Sequence, residues 1–120
     1  MVIGYDTEDE ETSLLETDPE IAEISRDDRY LIMGFDQGQV VIMDIKNLNE
    51  GLISRHDVCR HKILMIREIA SFDLHLIYDE SHMLKLCSLT STGTKYLHTF
   101  NLYRGLFDLL IKDNYVYLAF

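Results

Sequence analysis

Two stretches of this chain copy each other. Tyr30-Leu31-Ile32-Met33-Gly34-Phe35 lies over Tyr115-Val116-Tyr117-Leu118-Ala119-Phe120 with every position apolar, aromatic or small in both, and Asp28 falls on Asp113. The offset is 85 residues. Half of it, about 42, predicts a middle copy, since repeat proteins place one supersecondary unit in each period. "DLHLIYDESHMLKLCSL" supplies it: Tyr78-Asp79-Glu80-Ser81 takes the place of Phe35-Asp36-Gln37-Gly38 at an offset of 43, and an apolar run follows each turn. Such a period matches the ~40–45 residues of a four-stranded unit stacked radially around an axis.

The local chemistry agrees. "YLIMGF" and "QVVIMDI" are rich in β-branched and aromatic residues and are joined by Asp36-Gln37-Gly38, where a glycine can take φ > 0 and close a hairpin. Both runs are almost continuously apolar, so both faces must be buried, whereas an antiparallel sheet usually leaves one face to water. Radially packed blades bury both, because each sheet lies between two others. Residues 21–25, 63–69 and 105–111 precede the three hairpin copies as inner strands, and the more polar 51–58 and 95–103 follow as outer strands. Asp18-Pro19-Glu20 would also start a helix, with a cap and an N-terminal proline, but the repeat register favours a strand.

The expected fold is therefore all-β: four-stranded antiparallel blades of a partial, incomplete β-propeller. Its blades span about 21–60 and 61–103, a third starts at 104–120, and an acidic segment, 1–20, precedes them. A ring closes with ~4–8 blades. Two and a half are counted here, so the reading is of a piece of a larger ring.

"EISRDDRYLIMGFDQGQVVIMDI" resembles a blade of the WD-repeat family. Ser25, Asp28, Arg29, Tyr30, Leu31, Gly34, Gly38, Val40, Ile42 and Asp44 stand where that pattern places its turns and strands. The resemblance covers roughly 21–120 and weakens along the chain. The family's tryptophan is Met43 and then Leu86, the acid after it is Asp44 and then Cys87, the turn aspartate is Gln37 and Glu80, and the strand serine is Met33 and Ile77. Only His61 can stand for the histidine that opens a blade, so Gly34, Gly38, Asp44 and His61 are the structural positions carried over. With the family's hydrogen-bonded network missing, apolar packing is expected to hold the blades together. The aromatics Tyr30, Phe35, Tyr78, Tyr115, Tyr117 and Phe120 are read as core.

The resemblance implies a non-enzymatic scaffold that binds other proteins, including the rest of its own propeller, inside a larger cytoplasmic assembly of cytoskeletal, ciliary, trafficking or similar kind. Loops 47–51, 56–61 and 89–95 are the expected contacts, with Asn49 and His56 as candidate residues.

Charge sharpens the partner classes. Asp6 to Glu20 holds eight acids and no base, while the whole chain carries −10, so the body is nearly neutral. Glu8, Asp9, Glu10 and Glu11 are candidate contacts for a basic partner, and phosphate on Thr7, Thr12 or Ser13 would deepen the charge. No basic cluster offers a nucleic-acid footprint. Uninterrupted apolar runs such as "ILMI" fall far short of the ~18–20 apolar residues that span a bilayer, and membrane insertion is not expected.

No cofactor, metal or catalytic centre is expected. "RHDVCRH" sets His56, Cys59 and His61 close together but lacks a fourth ligand at zinc spacing. Cys87 lies in an apolar strand, and neither cysteine has a motif of activation; two cysteines without disulfide spacing fit a reducing compartment. Glu23, Ser25, Arg67, Glu68 and Asp108 are the polar residues of the inner strands, a thin set for the alternative reading of a propeller enzyme or small-ligand binder. A further alternative is a small β domain that associates with itself.

Overall fold

The computed structural model describes residues 18–46, 52–69, 74–90 and 92–120. Among these residues ten strands follow in chain order: β1 (Ile21–Ile24), β2 (Tyr30–Gly34), β3 (Gln39–Asp44), β4 (Leu52–Asp57), β5 (Ile63–Glu68), β6 (Leu74–Asp79), β7 (Met83–Thr90), β8 (Gly93–Asn101), β9 (Asp108–Lys112) and β10 (Tyr115–Ala119). They form two four-stranded antiparallel sheets, β1-β2-β3-β4 and β5-β6-β7-β8, and a two-stranded sheet of β9 and β10. The first segment after Asp18-Pro19-Glu20 is a strand, since the Glu20 amide donates to the Gly34 carbonyl at 2.8 Å and so enters the ladder with β2.

Turn chemistry sets the hairpins. Gly38 has φ +84° and its amide donates to the Phe35 carbonyl, and its own carbonyl accepts from Val58 and Cys59. A Cβ there would lie 2.2 Å from the Cys59 carbonyl oxygen, so only glycine fits. In the second sheet the equivalent left-handed residue is His82 (φ +69°), whose amide donates to Asp79. This corrects the expected alignment. His82, not Ser81, matches Gly38, and Asp79, not Tyr78, matches Phe35, an offset of 44 residues. A one-residue slip moves every side chain to the opposite face. The tryptophan position of the second copy is thus Cys87 rather than Leu86. The 85-residue offset between β2 and β10 is matched by equivalent hydrogen bonds, Glu20 to Gly34 and Phe107 to Ala119.

The alternation of faces explains the continuous apolar runs. Ile32, Val40 and Ile42 of the first sheet pack with Val58, Ile63, Ile66, Ile77, Cys87 and Leu89, forming the core between the first and second blades. Leu76, Tyr78 and Leu84 turn the other way and pack with Leu106 and Leu109 of the third unit. Gly34 permits the first of these contacts, because a Cβ there would meet Ile63 Cγ2 at 2.6 Å. The outer strand β8 is exposed along almost its whole length.

Polar links supplement this packing, which corrects the expectation of apolar packing alone. His56 of β4 bonds Ser54 (3.0 Å) and reaches Thr94 of β8 in the next blade (2.7 Å). The Tyr96 hydroxyl lies 3.0 Å from the carbonyls of both Asp57 and Val58. Tyr78, buried, accepts a hydrogen bond from the Leu106 amide (2.9 Å) and bonds His82 Nδ1.

The aromatic expectation holds for Phe35 and Tyr78, which are buried, with Tyr30 partly so. It fails for Tyr115, Tyr117 and Phe120, which are exposed. Their counterparts in β2 and β6 are covered by another strand and another blade, and among the described residues nothing plays that part for β10.

Candidate functional site

Three inner strands, β1, β5 and β9, lie side by side, and their charged residues converge. Glu23 stands opposite Ile32 and Arg67 opposite Leu76, so the two hold the same place in successive blades; Asp108 lies near the start of β9. Arg67 links all three units: its Nη1 is 3.9 Å from Glu23 Oε2 and its Nη2 is 3.6 Å from Asp108 Oδ1. Glu68, largely buried, accepts from the Arg26 amide at 2.8 Å, and the Arg26 guanidinium lies 3.4 Å from the Glu68 carbonyl. Ser25 is buried in the same turn, donating to Asp27 Oδ1 (2.6 Å) and accepting from the Tyr30 amide (3.0 Å).

Glu23, Arg26, Arg67 and Glu68 line a cleft of about 220 Å³ with Leu109 and Leu110. Desolvation raises the Glu23 carboxyl above its ordinary pKa; the neighbouring Glu68 adds to this, and Arg67 and Arg26 oppose it. Of the five inner-strand polar residues read from the sequence, the structure joins Glu23, Arg67 and Asp108 directly, while Glu68, next to Arg67 in β5, is held by Arg26. Arg26 escaped the sequence reading because it lies in a turn outside the strand pattern.

Where β1, β5 and β9 end, a second and wider groove opens, about 440 Å³, lined by Arg26, Ile69, Ile111, Lys112, Asp113, Asn114 and Val116. Asp113 and Asn114 hold positive φ, +51° and +68°, and make the tight turn that brings Lys112 to its edge. Its lining combines the aliphatic Ile69, Ile111 and Val116 with two cations, Arg26 and Lys112, and one acid, Asp113.

The remaining expectations sort as follows. Asp44 is buried, accepts from the Lys46 amide at 2.9 Å and pairs with Arg29 Nε at 3.6 Å, closing the end of the β2–β3 ladder. His61 does not act as a structural histidine: its imidazole is exposed, and its carbonyl accepts from Cys59 Sγ. His56 is corrected as an interaction residue, because it is 2% exposed with both ring nitrogens bonded to hydroxyls. β4 carries its side chains alternately in and out, and His56 points in. Burial lowers its pKa, partly offset by Asp57. Glu8, Asp9, Glu10, Glu11 and Asn49 lie outside the described residues. Cys87 is fully buried and burial pushes its thiol up to about 11; burial also raises Cys59. Among the described residues no group of three or more His, Cys, Asp or Glu is placed to hold a metal ion, and no helix is long and apolar enough to cross a membrane.

Four-stranded antiparallel sheets packed face to face through successive repeats define a β-propeller fold. The structure is similar to the crystal structure of the Cps50 (Swd1) β-propeller domain of Myceliophteria thermophila, with a TM-score of 0.58 and 14% identity over 67% of this chain. This chain spans 26% of that one, about a quarter of it. At this identity the likeness establishes the fold. No family model and no curated protein matches the sequence.

Proposed function

We propose that this chain is a non-enzymatic protein-interaction scaffold, part of a WD-repeat-like propeller in a larger cytoplasmic assembly of cytoskeletal, ciliary, trafficking or similar kind. The observation that carries the reading is the groove at the ends of the three inner strands. Its aliphatic Ile69, Ile111 and Val116, with the cations Arg26 and Lys112 outnumbering the single acid Asp113, suit a peptide that carries aliphatic and acidic side chains. Loops held by a rigid sheet are the usual place for such contacts. The acidic run 6–20 would serve a second, basic partner.

The test is comparative capture from a soluble extract with the wild-type chain and with Arg26→Glu/Lys112→Glu. Both positions are on the surface, so the variant should keep its β circular dichroism. The reading expects a defined set of proteins to be lost from the variant and kept when residues 6–16 are deleted. Identical sets on all three baits would refute the groove. Fractionation of the tagged protein between soluble and cytoskeletal pools tests the cellular assignment.

A second reading, a small-ligand binder, is favoured by one observation: a partly desolvated carboxyl, Glu23, in a cleft with Arg67 and Glu68. It predicts that a small amine at millimolar concentration raises the melting temperature of the wild type but not of Glu23→Gln. Equal shifts in both would remove it.

A further inference from the structure

We infer that the cleft between β1, β5 and β9 binds a free aliphatic α-amino acid, held by both of its charged ends at once. The inference rests on the small-ligand reading of this cleft and names the ligand class. It starts from charges that meet without closing on one another. Arg67 Nη1 lies 3.9 Å from Glu23 Oε2 and Arg67 Nη2 lies 3.6 Å from Asp108 Oδ1, both beyond the ~2.7–3.2 Å of an N–H···O hydrogen bond. The bond that Nη1 does make runs to the Ile66 carbonyl of its own strand, at 3.0 Å. Glu23 Oε2 is itself buried, and among the described residues no hydrogen-bond donor reaches it. A buried acceptor in that state favours any donor that can enter beside it.

The lining sets the ligand's chemistry. Two carboxylates, Glu23 and Glu68, stand with two guanidinium groups, Arg26 and Arg67. A ligand with net charge of either sign would unbalance them, whereas one positive and one negative end on a single small molecule matches both. Glu68 and Arg26 already hold each other, through the Arg26 amide on Glu68 Oε1 at 2.8 Å and the guanidinium on the Glu68 carbonyl at 3.4 Å. The contacts left to make are those of Glu23 and Arg67: an ammonium group donates to Glu23 Oε2, and the carboxylate accepts from Arg67, both as charge-assisted hydrogen bonds. The rest of the lining, Ile24, Leu109, Leu110 and Ile111, is aliphatic and takes a hydrocarbon side chain. At about 220 Å³ the cleft is smaller than the ~300–1,000 Å³ of pockets for drug-sized ligands, which restricts the occupant to amino-acid size. A peptide end carries only one of the two charges and leaves either Glu23 or Arg67 unanswered.

The test is titration of the full 120-residue chain with L-leucine, followed by NMR. Two analogues run beside it: leucinamide, which lacks the carboxylate, and N-acetyl-leucine, which lacks the ammonium group. The expected result is saturable 1:1 binding of leucine that shifts the amides of residues 23–26, 67–68 and 109–111, with both analogues at least tenfold weaker. Glu23→Gln and Arg67→Met, each checked for unchanged circular dichroism, should also weaken leucine at least tenfold. Equal affinity for leucine and leucinamide overturns the inference and leaves the amine-binding reading of Glu23 standing. Leucine binding that Glu23→Gln does not weaken overturns both. No binding of leucine at tens of millimolar overturns the inference, even where a small amine still raises the melting temperature of the wild type.

Discussion

Replacing Gly38 by alanine should be far more damaging than replacing Gly93, although both have positive φ, +84° and +145°. A β-carbon at Gly38 would sit 2.2 Å from the Cys59 carbonyl oxygen and 2.5 Å from its carbon, deep inside van der Waals contact with backbone that cannot swing aside. At Gly93 nothing lies within 4 Å. The left-handed conformation alone disfavours a non-glycine residue by about 1–2 kcal/mol. Pushing the 58–59 linker away would also weaken the hydrogen bonds from the Val58 (3.0 Å) and Cys59 (3.3 Å) amides to the Gly38 carbonyl. Each such bond contributes about 0.5–1.5 kcal/mol net. Together these give a loss of about 3 kcal/mol or more for Gly38→Ala against about 1 kcal/mol for Gly93→Ala. Urea unfolding followed by circular dichroism reads the difference: with a slope of about 1–3 kcal/mol/M, the midpoints of the two variants should lie about 1 M or more apart. Equal midpoints would refute the claim that the turn of the first blade is locked against the linker into the second.

Burial lowers the His56 pKa, so the unfolded chain takes up a proton first as pH falls through about 6.5, and stability should drop from there towards the lower folded value. The slope of melting temperature against pH in that window should flatten in His56→Gln; an unchanged slope would remove His56 as its source. Leu109→Ala should destabilise by about 2–5 kcal/mol, because its side chain fills the core against the second blade, while Leu110→Ala, largely exposed, should stay within about 0.5 kcal/mol. Similar losses at both positions would show the faces of β9 to be wrongly assigned. Partly exposed ion pairs contribute little, so Arg67→Met should cost at most about 1 kcal/mol. Arg67→Glu, which sets a third acid beside Glu23 and Asp108, should lose more and recover part of it in high salt, and no recovery would place the defect in packing instead.

The hairpins were legible because their information is local: β-branched runs, a glycine that must turn, and two faces apolar at once. The charge cluster was not. Glu23 and Arg67 stand 44 residues apart, and a fixed period of 43 sets Glu23 against Ile66. Loop closure depends only weakly on length, so a connection can gain or lose a residue between repeats, and the ladders themselves shift register at Ile42/Met43, Ile63/Met65 and Leu86/Cys87, so a fixed period does not keep the faces in step. His56 was misread for a related reason. Its neighbours Arg55 and Asp57 are exposed, and only the approach of Thr94 from the next blade makes the inward side of β4 a polar, buried seam.

The sequence by itself determined the all-β character and the tandem hairpins, both consequences of backbone sterics and side-chain period within a few residues. The tertiary structure decided which face each residue serves, how Arg67 joins three blades, and why Tyr115 and Tyr117 remain uncovered while their counterparts are packed. Those outcomes depend on hydrogen-bond register and on the sheet lying alongside, neither of which is encoded in any single strand.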